Sequence, residues 1–250
     1  MDKAIIVQSF GTSHEDAYEK SFKSLVLELK NRFPDYEIVE AFSSEMVRKI
    51  VEKKGEFYPN TKIALENLYK KGIKDIRIFA LYVIEGFEYE GVERVSKSFD
   101  SNIKISRALI HGDLNINSFS EEIMEALHYD TDALVLMGHG SRHSRDKDYE
   151  LLNDSFSHHG ECAFLASLEG DYGIFELIDE LKKKNIKKVT LAPFLLVAGD
   201  HAKNDMASDD KDSWKSILEE NGFDVKIDLK GLLEREKIKN IFFERLEEIL

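Results

Sequence analysis

The chain has 250 residues, 42% of them hydrophobic, and a formal net charge of −13, which suits one or two packed domains and excludes a disordered chain. The acidic excess is not offset by any basic stripe and excludes nucleic acid as an expected partner. A single cysteine, Cys162, rules out an intrachain disulfide. With no signal-peptide pattern and no apolar run near the ~20 residues of a membrane span, it predicts a cytoplasmic protein without a membrane partner.

Strand and helix signals alternate along the chain. Ile5-Ile6-Val7 is a short apolar run of the buried-strand kind. Phe22, Leu25, Val26, Leu29 and Phe33 then recur at helical spacing, and Pro34 closes that helix. Glu37 to Phe42 predicts a second strand, and Met46, Val47, Ile50 and Val51 a short helical face. Thr61 is expected to cap a helix carrying Ile63, Leu65, Leu68 and Tyr69, which Gly72 ends. Ile76 to Val83 reads as a third strand and Ile103 to Ile105 as the start of a fourth, followed by a helix from Phe119 to Leu127. The second half repeats the series. Its strands fall near 133–137, 162–168, 188–196 and 224–229, and its helices near 146–156, 172–184, 211–221 and 235–250. Such alternation predicts right-handed crossovers and parallel sheets covered on both faces.

The two halves also match residue by residue. Ala4 to His14 aligns without gaps on Ala133 to His143, Val39 to Ser44 on Phe164 to Glu169, Leu68 to Glu88 on Leu181 to His201, and Asn102 to Ile105 on Asp224 to Ile227. Matched segments in one order predict a duplication. The expected fold is α/β: two similar doubly wound domains, 1–129 and 130–250, each a small parallel sheet flanked by helices. The active site is expected in the cleft between them. No Gly/Ser- or Pro-rich linker separates the halves, which favours close packing.

Three predicted strand ends in the second half finish on ligand-type side chains: His139, Glu169 and His201. The carboxyl edge of an open parallel sheet is where ligands bind. Two imidazoles and one carboxylate there can hold a divalent ion and leave positions open. Each residue alone has a plainer reading, as a turn histidine or as a helix-entry carboxylate on the macrodipole. The corresponding first-half positions are Phe10, Ser44 and Glu88, so the triad is complete in one half only. His143, four residues beyond His139, is either a partner to substrate or a helix-entry residue, and His14 repeats that ambiguity.

Two small-residue turns are candidate binding loops. Ser9, Phe10, Gly11 and Thr12 form one, and Gly138, Gly140 and Ser141 around His139 form the other. Backbone N–H groups and hydroxyls in such turns can hold anions. Neither turn is a P-loop or a dinucleotide fingerprint, so no organic cofactor is expected. Glu85-Gly86-Phe87-Glu88-Tyr89-Glu90 reads as an acidic tract at the edge of the first half. It is either a solvated loop or the source of a further metal contact or proton acceptor, Glu88.

Taken together, the turn Ser9 to Ser13, Met137 to Ser141, Leu168-Glu169-Gly170 and Val197 to Met206 resemble the anaerobic cobalt chelatases of sirohydrochlorin. The resemblance spans essentially the whole chain, including the duplication. It implies a class II chelatase related in fold to ferrochelatase, acting in the early-cobalt route to cobalamin. Co2+ would be the metal substrate and sirohydrochlorin the tetrapyrrole partner. It also implies His139, Glu169 and His201 as metal ligands, with His139 as proton acceptor. Iron and nickel remain alternative metals. A metal or tetrapyrrole carrier and a metal-assisted hydrolase remain rival classes, and a homo-oligomer remains an open expectation. The chemistry agrees with the residues: inserting a divalent ion releases two pyrrole protons, and groups that let go of the metal can take them up.

Overall fold

The computed structural model describes residues 1–250 apart from Ser101, His159, Glu161 and the side chain of His158. It contains two four-stranded sheets in which every neighbouring pair is parallel. The doubly wound α/β fold expected from the alternating signals is therefore present, once in each of two compact units.

The first unit comprises residues 1–111 and 239–250. Its strands are β1 (Lys3–Ser9), β2 (Tyr36–Phe42), β3 (Asp75–Ala80) and β4 (Asn102–Ile105), in the order β2-β1-β3-β4. Central β1 is buried after its first residue, as a strand covered on both faces must be. Its helices are α1 (Glu15–Tyr18), α2 (Ser24–Arg32), α3 (Glu45–Lys53), α4 (Thr61–Lys70) and α5 (Phe87–Ser96), with a π turn, Glu19–Lys23, between the first two. Ala4 and Ile6 pack with Ala64, Leu65 and Leu68 of α4 and Tyr89 and Val92 of α5.

The second unit comprises residues 112–238. It begins with α6 (Ile116–Ala126). Its strands β5 (Ala133–Gly138), β6 (Ala163–Ser167), β7 (Lys188–Pro193) and β8 (Asp224–Ile227) repeat the first order, as β6-β5-β7-β8. The helices α7 (Lys147–His158), α8 (Ile174–Lys183) and α9 (Trp214–Glu220) cover them, and the last helix of the chain is α10 (Glu236–Glu247). The core joins Val135, Met137 and Leu191 to Leu177, Leu181, Met206 and Trp214.

The compact units do not coincide with the sequence halves, 1–129 and 130–250. The final helix of each repeat is built into the opposite unit. In the second unit, the Ser120 hydroxyl of α6 lies 2.8 Å from that of Ser155 on α7. In the first, the ring of Phe243 on α10 lies 5.6 Å from that of Phe79 on β3, tilted by 43°, and under the Arg32 guanidinium, while Lys239 pairs with Glu28 at 2.8 Å. Internal homology records ancestry, whereas compactness follows the surface on which each apolar helix face is buried.

Three local expectations change. The cap of α4 is Asn60, whose carbonyl oxygen accepts from the Ile63 amide at 2.9 Å. Thr61 is the first helical residue and donates to Gln8 Oε1 at 2.7 Å. The acidic tract 85–90 is largely the start of α5, with Glu88 and Glu90 in the first turn, where the helix dipole favours carboxylates. Strand β7 stops at Pro193, beyond the last β7–β8 pair, Leu191↔Ile227, and proline brings no amide donor to extend the ladder. Among the described residues, no helix is long and apolar enough to cross a membrane.

Candidate metal centre

His139 leaves the end of β5 in a turn that tolerates little but glycine. A Cβ on Gly138 would meet the Tyr149 ring at 2.8 Å. Gly140 has φ +75°, and a Cβ there would lie 2.6 Å from the Gly170 amide nitrogen and 2.8 Å from Ser167 Oγ. The turn after β5 is thus pressed against the turn after β6. Two backbone bonds hold them together: Leu168 N to Gly138 O at 3.1 Å, and Glu169 N to His139 O at 2.9 Å. Asp146 braces the arrangement by accepting the Ser141 amide at 2.8 Å. Burial pushes the Asp146 carboxyl above its ordinary value, opposed by that amide and reinforced by Glu150, Asp171 and Asp148.

His201 is reached differently. Beyond β7 the chain runs over Gly231, where a Cβ would lie 2.7 Å from Leu196 O and from Val197 Cα. The amides of Leu232 and Leu233 donate to the carbonyls of Leu195 and Leu196 at 2.8 and 3.0 Å. His201 then opens a π turn, Ala202–Met206, in which Ala202 and Met206 are fully buried. Those two anchors leave His201 and Asp205 half-exposed on the other side of the turn.

The structure brings His139 and His201 together, with ring centroids 4.8 Å apart and planes at 83°. Imidazole nitrogens bind at about 2 Å, which places each ring centre about 3.2 Å from a shared ion and the two centres about 4.5–5.2 Å apart for ligand angles of about 90–109°. The observed spacing falls in that range. The outer nitrogens are also fixed. Nδ1 of His139 lies 2.9 Å from Gly140 O, and Nδ1 of His201 lies 2.7 Å from Asp205 Oδ2. A carbonyl or carboxylate oxygen only accepts, so each Nδ1 is the donor, and in the neutral imidazole the lone pair is then on Nε2.

Glu169 is exposed, and its backbone is bonded to His139. Among the described residues, no three His, Cys, Asp or Glu side chains already form a ready metal cluster. The imidazole pair is formed, and the backbone of Glu169 lies on the adjacent turn. His143 is a helix-entry residue whose Nδ1 accepts the Arg145 amide at 3.1 Å. Ser141 is committed locally, with its amide on Asp146 and its hydroxyl accepting from His143 N.

In the first unit, Phe10, Ser44 and Glu88 also follow β1, β2 and β3. Phe10 is 46% exposed. Gly11, with φ +94°, allows the turn to close on the Phe42 ring, which a Cβ would meet at 2.6 Å. Ser9 is buried and its hydroxyl has no hydrogen-bond partner among the described residues. Thr12 accepts the His14 amide at 3.2 Å, and Ser44 caps α3 by accepting from Val47 N at 3.3 Å. Glu88 is exposed. Met46 and Phe87, on the first turns of α3 and α5, are 68% and 60% exposed at the same end of the sheet.

Comparison with known proteins decides the family. The profile of the family described as Cobalt chelatase (CbiK) matches residues 3–250. The chain belongs to this cobalt chelatase family. It is 33% identical to the sirohydrochlorin cobaltochelatase of Salmonella typhimurium over 260 residues, covering 100% of this chain and 97% of that protein. It is 25% identical over 252 residues to the sirohydrochlorin cobaltochelatase CbiKC of Nitratidesulfovibrio vulgaris, covering 98% and 89%. Two solved structures share the fold. SirB from Bacillus subtilis with Fe3+ has a TM-score of 0.64 at 16% identity, covering 100% of this chain and 96% of that one. DR2241 from Deinococcus radiodurans, a multi-domain protein similar to chelatases, has a TM-score of 0.62 at 12% identity, covering 99% and 55%.

Sequence reasoning singled out the two histidines that meet. It missed Asp205, Asp146 and Gly231, which hold them in place. Only Asp205 left a trace: the His201-to-Asp205 spacing of one helical turn puts both side chains on one face.

Proposed function

We propose that this cobalt chelatase inserts Co2+ into sirohydrochlorin in the anaerobic route to cobalamin. In this reading His139 and His201 hold the incoming ion through Nε2, and Glu169 swings from its adjacent turn to complete the set. The observation that carries the proposal is the imidazole pair at 4.8 Å with both Nδ1 atoms already engaged. Two neutral imidazoles and one carboxylate leave coordination positions open for pyrrole nitrogens. As ring nitrogens replace protein ligands, two N–H protons leave. His139 Nε2, freed from the ion, takes one, and Glu88 is our candidate for the second. Exposed Phe10, Met46 and Phe87 offer apolar contact to a large planar ring. The turns at Ser9, Gly11 and Thr12 in the first unit and at Gly138, Gly140 and Ser141 in the second are our candidate substrate-binding loops. The lone thiol Cys162 fits a cytoplasmic site of action.

The test mixes sirohydrochlorin and Co2+ with catalytic amounts of protein and follows visible absorption. Turnover supports a chelatase, and a change that stops at one equivalent means a carrier. His139→Ala and His201→Ala are each expected to lose most of the turnover while keeping the native fold. Wild-type rates in both folded variants would remove these residues from the reaction. Parallel runs with Fe2+ and Ni2+ rank the alternative metals, which ligand chemistry alone does not.

A further inference from the structure

We infer that Asp205 is a positioning residue that sets the proton and the orientation of His201, so that the imidazole presents a lone pair to the ion. The inference rests on the reading of His201 as a metal ligand and adds a residue to it. Asp205 Oδ2 lies 2.7 Å from His201 Nδ1. Both residues sit at the mouth of the π turn whose next positions, Ala202 and Met206, are fully buried. That anchoring fixes the backbone between the two side chains, so their contact is set by the fold.

The chemistry follows from the acceptor. A carboxylate accepts only, so it holds a proton on Nδ1, and in the neutral imidazole that a metal binds the lone pair is on Nε2. It also restrains rotation of the ring about the Cβ–Cγ bond. The two ligands are oriented by unequal means. His139 relies on the carbonyl of Gly140, which no side-chain substitution removes, whereas His201 relies on a replaceable side chain. Outer partners of metal-bound imidazoles are typically worth about 10–100-fold in metal affinity.

The experiment titrates Co2+ alone, without tetrapyrrole, into the full-length protein and follows the visible absorption bands of the bound ion. Asp205→Leu is close in size but cannot accept, whereas Asp205→Asn can still accept from Nδ1. We expect the Leu variant to bind Co2+ about 10–100-fold more weakly. A neutral acceptor bond is roughly half as strong as a charged one, so Asn should recover about half of that loss on a logarithmic scale. Circular dichroism verifies folding, and Asp205→Ala replaces the Leu variant if that one does not fold. Unchanged affinity in the non-accepting variant overturns the inference. Equal losses in the Asn and non-accepting variants also overturn it, because charge or direct ligation would then matter instead of orientation. His201→Ala runs beside them. If it binds Co2+ like the wild type, the ligand reading of His201 has failed, and that result is distinct from a failure of Asp205 alone.

Discussion

Substituting Gly140 by alanine tests how the turns that carry His139 and Glu169 are held together. Two effects add. An L-residue at φ +75° carries the left-handed penalty, about 1–2 kcal/mol. The new methyl would also lie 2.6 Å from the Gly170 amide nitrogen and 2.8 Å from Ser167 Oγ. The first is backbone and cannot rotate away, so overpacking of about 1–3 kcal/mol follows. The total is about 2–5 kcal/mol. At about 2–4 °C per kcal/mol for a chain of this size, the melting temperature should fall by about 4–20 °C. Gly222→Ala is the internal control in the same unit. Gly222 has φ +89° with nothing within 4 Å of the added methyl, so only the backbone penalty applies, about 1–2 kcal/mol. Thermal unfolding by circular dichroism compares the two. The clash also pushes Gly170, and with it Glu169, away from His139, so Co2+ affinity should fall about 10–100-fold in Gly140→Ala and stay unchanged in Gly222→Ala. Equal melting temperatures and equal affinities in the two variants would refute the argument that the turns are held by close backbone approach.

Other predictions concern single groups. Glu88→Gln should slow turnover about ten- to a hundredfold, with less effect on Co2+ affinity than Glu169→Gln; a wild-type rate would make Glu88 an ordinary helix-start carboxylate. Burial holds the Glu40 carboxyl above its ordinary value of 4.5, opposed in part by the Tyr18 hydroxyl that donates to it at 2.9 Å. The native state therefore keeps that proton longer than the unfolded chain, and stability is lost as pH rises from about 4.5 through the raised value. Glu40→Gln keeps an acceptor for Tyr18 and should remove this loss. Urea midpoints of variant and wild type should diverge in the variant's favour between pH 4.5 and 8, and parallel curves would sink the claim. Phe243→Ala should destabilise the first unit by about 3–5 kcal/mol, read as a lower urea midpoint, since Phe243 is fully buried against Phe79. A midpoint within error of the wild type would mean that α10 is not part of that core.

The sequence by itself carried the alternation of apolar strands and amphipathic helices, and hence two parallel sheets, because burial on both faces writes near-continuous apolar runs such as Ala133 to Met137. It also carried the repeat, and through it the placing of His139, Glu169 and His201 after corresponding strands. It did not carry what long-range packing decides. The assignment of α10 to the first unit depends on where Phe243 finds a partner, 164 residues of chain away in Phe79. The end of β7 at Pro193 depends on its pairing with β5, whose last partner for it is Met137. At the centre, the chain shows two histidines with no local sign that they meet. Their 4.8 Å separation comes with glycines at 140, 170 and 231 that let distant backbones touch, whereas the His201–Asp205 bond is local, one helical turn apart. The glycine contacts join residues whose partners lie elsewhere in the chain, so only the tertiary structure decides them.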